Sequence, residues 1–203
     1  YWIDPEFVAH FLASRFGESG LSWLDSNGIE NSQYSFLGIN PKTIIYTGKN
    51  NYDNPFEKLE QIDQGFWMGW LSYEAGAWIE PNNSWRESEM ATLWIASYDP
   101  IIKFNLLKKE ITIEGTNTND IEEYKNLIDG ININLIKKNI NKSFIFDFSE
   151  LNLEKKCEKF KKNVLKIKKL INKGDIFQAN LTTKVEIETS EEYKYLDIYS
   201  KIR

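Results

Sequence analysis

The side chains best able to do chemistry cluster where the backbone changes character, in Gly174-Asp175-Ile176-Phe177-Gln178-Ala179-Asn180-Leu181. A helical pattern stops on Gly174, and Asp175, Gln178 and Asn180 then interrupt an otherwise strand-like run. Amide side chains inside a strand are costly to bury unless partnered. Gln178 and Asn180 must therefore tie two elements together by hydrogen bonds or face a cavity, and the tie is favoured. A second polar-aromatic segment is Leu21-Ser22-Trp23-Leu24-Asp25-Ser26, followed by Gln33-Tyr34-Ser35-Phe36-Leu37-Gly38. Plain composition explains neither segment.

Other chemistries find little support. His10 and Cys157 are the only residues of their types, so no His/Cys/acid cluster has metal-ligand spacing. His10 lies between Ala9 and Phe11 in a helical pattern and reads as a packed or surface residue, leaving no basis for a nucleophilic triad. Cys157 stands among lysines, but reads as a small, half-buried apolar residue. No phosphate-cradling glycine loop occurs. Glu74, Glu80 and Glu87 flank an aromatic segment without the spacing of an acid–base pair. Trp67, Trp70, Trp78, Trp85 and Trp94 could stack a planar ligand, but are expected to be core.

These residues must be positioned by a mixed set of elements. Asp4-Pro5 opens a helix with Phe7, Val8, Phe11, Leu12 and Phe16 at three- and four-residue steps, ended by Gly17. Strands are expected at Leu21–Leu24, Tyr34–Ile39 and Thr43–Thr47. Asn54-Pro55 opens a second helix, with Glu57 placed for a capping box. Phe66–Tyr73 suits a central strand, and Thr92–Tyr98, Ile101–Asn105 and Glu110–Glu114 give three more, the last two paired across Leu106–Lys109. Asn119 can cap a helix that runs to Ile128 and ends at Gly130. Ile131–Lys142 is the best linker, or else an edge strand.

The longest helix is expected over Asn152–Asn172, with Phe160, Val164, Ile167, Leu170 and Ile171 as its stripe and Gly174 as a left-handed cap. A strand, Ile176–Glu186, should follow as the opening piece of a core sheet, and Ser190 should cap a last helix. The predicted class is α+β, with a large mixed, mostly antiparallel sheet packed against helices.

The 203 residues, 41% of them hydrophobic, suffice for a real core. Thirty acids against 25 bases give a formal charge of −5 and imply no nucleic-acid partner. The cluster Lys155–Lys173 reads as the wet face of the long helix. One cysteine excludes an internal disulfide and points to a reducing, cytoplasmic setting. No apolar run is long enough to span a bilayer, so no membrane partner is expected. Neither end carries a start or stop signal, and the chain reads as a fragment.

Both polar segments resemble the large components of the anthranilate synthase and aminodeoxychorismate synthase family. Gly174–Leu181 is similar to the family run G-D-I-[FY]-Q-x-N-L that opens its chorismate-binding region. Trp70-Leu71-Ser72-Tyr73-Glu74-Ala75-Gly76, continuing to Ile79-Glu80-Pro81, resembles the G-x-L-S-Y-E-A-G stretch of the aminodeoxychorismate branch. Leu24-Asp25-Ser26 and Tyr34-Ser35 resemble the early L-[DE]-S and R-Y-S elements.

The resemblance implies residues 1–148 as the amino-terminal region and 149–203 as the start of the catalytic region, in a truncated anthranilate synthase component I-like fold. It implies conversion of chorismate, with Mg²⁺ and ammonia from a glutamine amidotransferase partner, to 4-amino-4-deoxychorismate for p-aminobenzoate and folate. Anthranilate synthase chemistry and a non-catalytic module binding an aromatic amino acid are the alternatives. The family's P-I-K-G-T lysine motif is absent from this sequence, and no acid here matches a family metal ligand. No catalytic residue carries over, and the chain alone is expected to be inactive. One implied site does fall within the chain, a tryptophan-type pocket at Ser26, Asn31, Ser32, Gln33 and Tyr34. Gln33 stands where the family commonly has Arg, and a neutral amide cannot make the bidentate charged pair.

Overall fold

The computed structural model describes residues 1–26, 29, 32–48, 53–81, 90–140, 153–183 and 194–203. The chain divides into two compact units, Tyr1–Lys142 and Ser143–Arg203.

The first unit opens with α1 (Pro5–Phe16), whose start is fixed as expected: Asp4 accepts from the Glu6 N–H at 3.0 Å. Gly17, at φ 88°, ends it. Its fully buried side is Pro5, Val8, Ala9, Leu12 and Ala13, while Phe7, Phe11 and Phe16 lie at the margin of that face. Seven strands follow: β1 (Ser22–Leu24), β2 (Tyr34–Gly38), β3 (Thr43–Thr47), β4 (Phe66–Leu71), β5 (Leu93–Tyr98), β6 (Ile101–Asn105) and β7 (Glu110–Glu114). Between β3 and β4 lies α2 (Pro55–Leu59). Asn54 caps it by accepting from the Phe56 N–H, and Glu57 reaches back to the Asn54 side-chain amide at 3.2 Å.

The class is α+β, and every described pairing is antiparallel. The expected single large sheet is instead two, with orders β1-β2-β6-β7 and β3-β5-β4. The chain passes between them at the Asp99-Pro100 corner, where β5 of one sheet gives way to β6 of the other. Thr116 braces that corner: its backbone N–H donates to Asp99 Oδ1 at 2.8 Å and its hydroxyl to Asp99 Oδ2. The hydroxyl bond, then the backbone bond, holds the Asp99 carboxyl below the usual aspartate range.

Alternation sorts the side chains of the larger sheet. Leu37, Ile102 and Phe104 are essentially inaccessible, as are Val8 and Leu12 of α1, which packs on β2. Each such side chain contributes roughly 1.5–3 kcal/mol by leaving water. In a second cluster Met68, Ala96, Tyr98 and Ile101 join the two sheets, with Phe36 and Trp94 packed against them.

β4 is an edge strand, not the central one expected; β5 holds the centre of its sheet. Its apolar character comes from one-sided packing. Met68 enters the core, while Trp70 stacks on Trp94 of β5 with centroids 5.0 Å apart and remains 44% exposed. A 3-10 helix, Tyr73–Trp78, follows β4.

Two helical boundaries also differ from the sequence reading. α3 (Thr118–Asp129) is capped by Asn117, which accepts from the Asn119 N–H at 2.9 Å, so the cap lies two residues earlier than expected. The stretch expected as linker or edge strand contains α4 (Ile133–Ile140). Asn132 accepts from the Asn134 N–H there, and Ile133, Ile136 and Ile140 fall on one half-buried side packed beside α1. The isoleucine spacing was helical, and the abundance of Asn concealed it.

The second unit contains α5 (Leu153–Lys173) and α6 (Tyr195–Ile202). Phe160, Val164, Ile167 and Leu170 form a half-buried line on α5, while Ile171 is 39% exposed. Gly174, at φ 79°, terminates α5 as the sequence requires. Its N–H donates to Ile171 O at 2.9 Å and the Asp175 N–H to Leu170 O at 3.0 Å, the paired bonds of a Schellman motif. α6 begins after Lys194; Ser190 and the segment 184–186 lie outside the described residues. Among the described residues, no helix is long and apolar enough to cross a membrane.

Candidate functional site

β1 and β2 position the first group of candidate residues. Their register sets Ser22 opposite Gly38, Trp23 opposite Leu37 and Leu24 opposite Phe36. A side chain at Gly38 would strike Met68 and Tyr98 at 2.5 Å, so glycine is what lets the two sheets close here. Behind this contact the polar groups are matched. Tyr98 Oη donates to Gly20 O at 3.0 Å and accepts from Ser22 Oγ at 2.6 Å. Burial raises the Tyr98 hydroxyl above the usual tyrosine pKa, and the Ser22 bond partly opposes this. Ser35, fully buried, accepts from the Trp23 indole N–H at 2.9 Å. Its own hydrogen can reach Leu24 O at 3.1 Å or Asp25 Oδ1 at 3.2 Å.

Beyond the ends of β1 and β2 the structure brings Ser26, Ser32, Gln33 and Tyr34 into one neighbourhood. Ser26 Oγ donates to Ser32 O at 2.5 Å, and the Ser32 N–H donates to Ile29 O at 2.6 Å. Gln33 is half-buried, and its carbonyl accepts from the Leu106 N–H at 2.8 Å. Tyr34 is 39% exposed, with its ring 6.4 Å from that of Phe36. Asn31 lies outside the described residues. Chemically this segment offers an aromatic ring, a hydroxyl and a carbonyl oxygen. It suits recognition of a ligand, and it holds no nucleophile with an adjacent base.

The sequence reading assigned no role to Lys103, the cation of this neighbourhood. Its ammonium lies 4.9 Å from the Tyr34 ring centroid and 3.2 Å from Glu114 Oε1. The available signal was a lone charge in the otherwise apolar start of Ile101-Ile102-Lys103-Phe104-Asn105.

The Gly174–Leu181 group behaves differently. Gly174 and Asp175 close the end of α5, but no strand forms over the described residues 176–183. Phe177 is 95% exposed. Gln178 and Asn180 are exposed and make no hydrogen bond among the described residues. The cause is geometric: a strand exists through its ladder, and the described elements of this unit are helices that offer no edge.

The remaining candidates are scattered. His10 is half-buried on α1, and Cys157 is exposed on α5. Glu74 lies in the 3-10 helix and Glu80 follows it, while Trp85 and Glu87 lie outside the described residues. Contrary to the core expectation, none of Trp67, Trp70, Trp78 and Trp94 is fully buried. The Trp67 indole N–H donates to Asp63 O at 3.0 Å, and that of Trp70 to Ala91 O at 3.3 Å. No group of three or more His, Cys, Asp or Glu able to hold a metal occurs among the described residues.

Compared with known families, residues 25–203 match the model described as chorismate binding enzyme. No curated protein matches the chain.

Proposed function

The chain belongs to the chorismate-binding enzyme family, a family of chorismate-utilising enzymes, and from that premise we propose that it is part of the large component of an aminodeoxychorismate synthase. In this reading residues 1–148 are the amino-terminal region and 149–203 begin the catalytic region. The full enzyme would take ammonia from a glutamine amidotransferase partner and use Mg²⁺ held by residues outside this chain, with 4-amino-4-deoxychorismate as product. The observation that carries the branch assignment is Trp70-Leu71-Ser72-Tyr73-Glu74-Ala75-Gly76, the end of β4 and the start of the 3-10 helix, in a chain whose family match runs from residue 25.

No described residue supplies a nucleophile–base pair or a metal donor set, so the 203-residue chain alone should not consume chorismate. Absorbance of chorismate, followed with Mg²⁺ and ammonium chloride, checks this; steady consumption would overturn the reading of the chain as a catalytically incomplete part. Chromatography of products from the complete reading frame then separates the branches. 4-Amino-4-deoxychorismate is expected, and anthranilate would transfer the chain to the sister activity.

A second reading is favoured by one specific arrangement. Ser26 Oγ donates to Ser32 O, two residues before Tyr34, whose ring lies 6.4 Å from that of Phe36, and a hydroxyl, a carbonyl and aromatic rings are the groups that suit an aromatic amino acid such as tryptophan. The Ser26 hydroxyl donates to Ser32 O and retains lone pairs that can accept from an ammonium group.

A further inference from the structure

α5 has two opposite sides. Phe160, Val164 and Ile167 line its half-buried side. Lys155, Lys159, Lys162, Lys166, Lys169 and Lys173 follow one another at steps of four, three, four, three and four residues. They therefore fall on one line along the other side, and all six are exposed. At about 1.5 Å per residue the line rises about 27 Å along the helix. An ordinary solvated face mixes the two signs, because like charges three or four residues apart destabilise a helix. Here the only acids of α5, Glu154 and Glu158, lie in its first two turns, and no acid follows up to Lys173. Lys159, Lys162, Lys166, Lys169 and Lys173 make no ion pair among the described residues. The chain carries this single-sign line although its formal charge is −5. Helix stability does not account for it.

The chemistry of the line narrows what could cover it. Each ammonium is a compact point charge that suits separate carboxylates, whereas planar, bidentate recognition of phosphate favours arginine, and α5 has none. Phe160 is the one aromatic residue of α5 and lies on the half-buried side, so α5 sets no ring beside the lysines to stack a base. That half-buried side is already partly covered, unlike the free apolar face that an interfacial helix sinks into a membrane. A long polyanion would also meet the net negative charge of the rest of the chain. We infer that the lysine line of α5 is a docking surface for an acidic protein, one that sets a row of Asp and Glu carboxylates along the helix. Charge complementarity carries the inference: such a partner offsets the repulsion between successive lysines with attraction.

Fluorescence anisotropy of labelled poly-L-glutamate, titrated with the 203-residue chain, tests it. Binding is expected at low salt and should be lost by about 0.3 M NaCl, where exposed charges are strongly screened. The triple variant Lys162→Gln, Lys166→Gln, Lys169→Gln should bind about tenfold more weakly, the scale of three exposed ion pairs. A control, Lys108→Gln, Lys125→Gln, Lys138→Gln, removes the same charge from exposed lysines of the first unit and should change affinity less than about twofold. Circular dichroism at about 222 nm checks that the helices persist in both variants. Absence of binding in wild type, or equal weakening in the two triple variants, would overturn the docking surface. Tighter binding of a single-stranded RNA homopolymer or of phosphatidylserine vesicles, at equal charge concentration, would overturn the choice of a protein partner.

Discussion

The inter-sheet contact around Gly38 and the segment after Gly174 both carry polar residues among apolar ones, yet they end up differently. At the first, Ser22, Ser35, Tyr98 and Trp23 are joined by hydrogen bonds between 2.6 and 3.2 Å, and Tyr98 is 1% exposed. At the second, Phe177 is 95% exposed, and the amides of Gln178 and Asn180 have no partner among the described residues. The difference lies in where the partners sit along the chain. Trp23 and Ser35 meet through the β1–β2 pairing, and Tyr98 reaches both sheets because β5 and β6 adjoin at a corner. The Gly174 segment has a well-formed helix end but no neighbouring ladder among the described residues of its own unit. Local sequence can finish a helix; it cannot supply the other half of a strand pair.

The strongest way to break the packed region is at Gly69, where β4 approaches β5. An added Cβ would lie 2.1 Å from Trp94 O and 2.6 Å from Ile95 Cα, backbone atoms that cannot step aside. Gly69→Ala should cost about 3 kcal/mol, the upper range for forced overpacking. The seven tryptophans all precede residue 95, so their fluorescence in urea reports the first unit alone. A loss below about 0.5 kcal/mol would mean that β4 can move off β5 freely.

Tyr98→Phe is the next probe. It removes the donor to Gly20 O and the acceptor of Ser22, with an expected cost of about 1–2 kcal/mol by the same fluorescence measurement. It also gives a pH signature. Burial raises the Tyr98 pKa in the fold, so the neutral hydroxyl is favoured there, and its contribution is complete below the unfolded value of about 10. That contribution is lost as pH rises from there through the folded value. Tyr124 is raised by burial in the same direction, so the variant should show a shallower alkaline decline rather than none. An unchanged alkaline slope would remove Tyr98 from the account.

Legibility followed the same division. The α1 cap at Asp4, the Gly17 stop, the β6–β7 hairpin and the Gly174 cap were readable because each depends on residues a few positions apart. The separation into two sheets was not, since it depends on Gly38, Met68, Tyr98 and Ile101 meeting across some sixty residues of sequence. α4 was hidden by composition: Asn-rich text reads as loop, although Asn132 acts there as a cap. Ser26, Ser32 and Tyr34 could be grouped from sequence by resemblance, but Lys103 enters only through the β2–β6 register. The family assignment now stands on the match over residues 25–203 and not on the expected strand after Gly174, which the described residues do not form.

The smallest effect is expected at Phe177, and its smallness is informative. A phenylalanine in a packed strand loses about 3–5 kcal/mol on truncation. At 95% exposure Phe177 has almost no native contact to lose, so Phe177→Ser should change the stability of the second unit by no more than about 0.5 kcal/mol. α5 dominates the helical signal of that unit, and thermal melting followed by circular dichroism at 222 nm reads it while the tryptophans report the first unit separately. A loss above about 1 kcal/mol would show Phe177 packed in solution and the segment held by an edge, which would erase the contrast with the Gly38 region. A null effect would leave Phe177, Gln178 and Asn180 as residues whose partners must come from outside the described elements of their own unit. Their amides would then be free to be satisfied only when that partner is present, which is the condition under which a polar strand becomes stable.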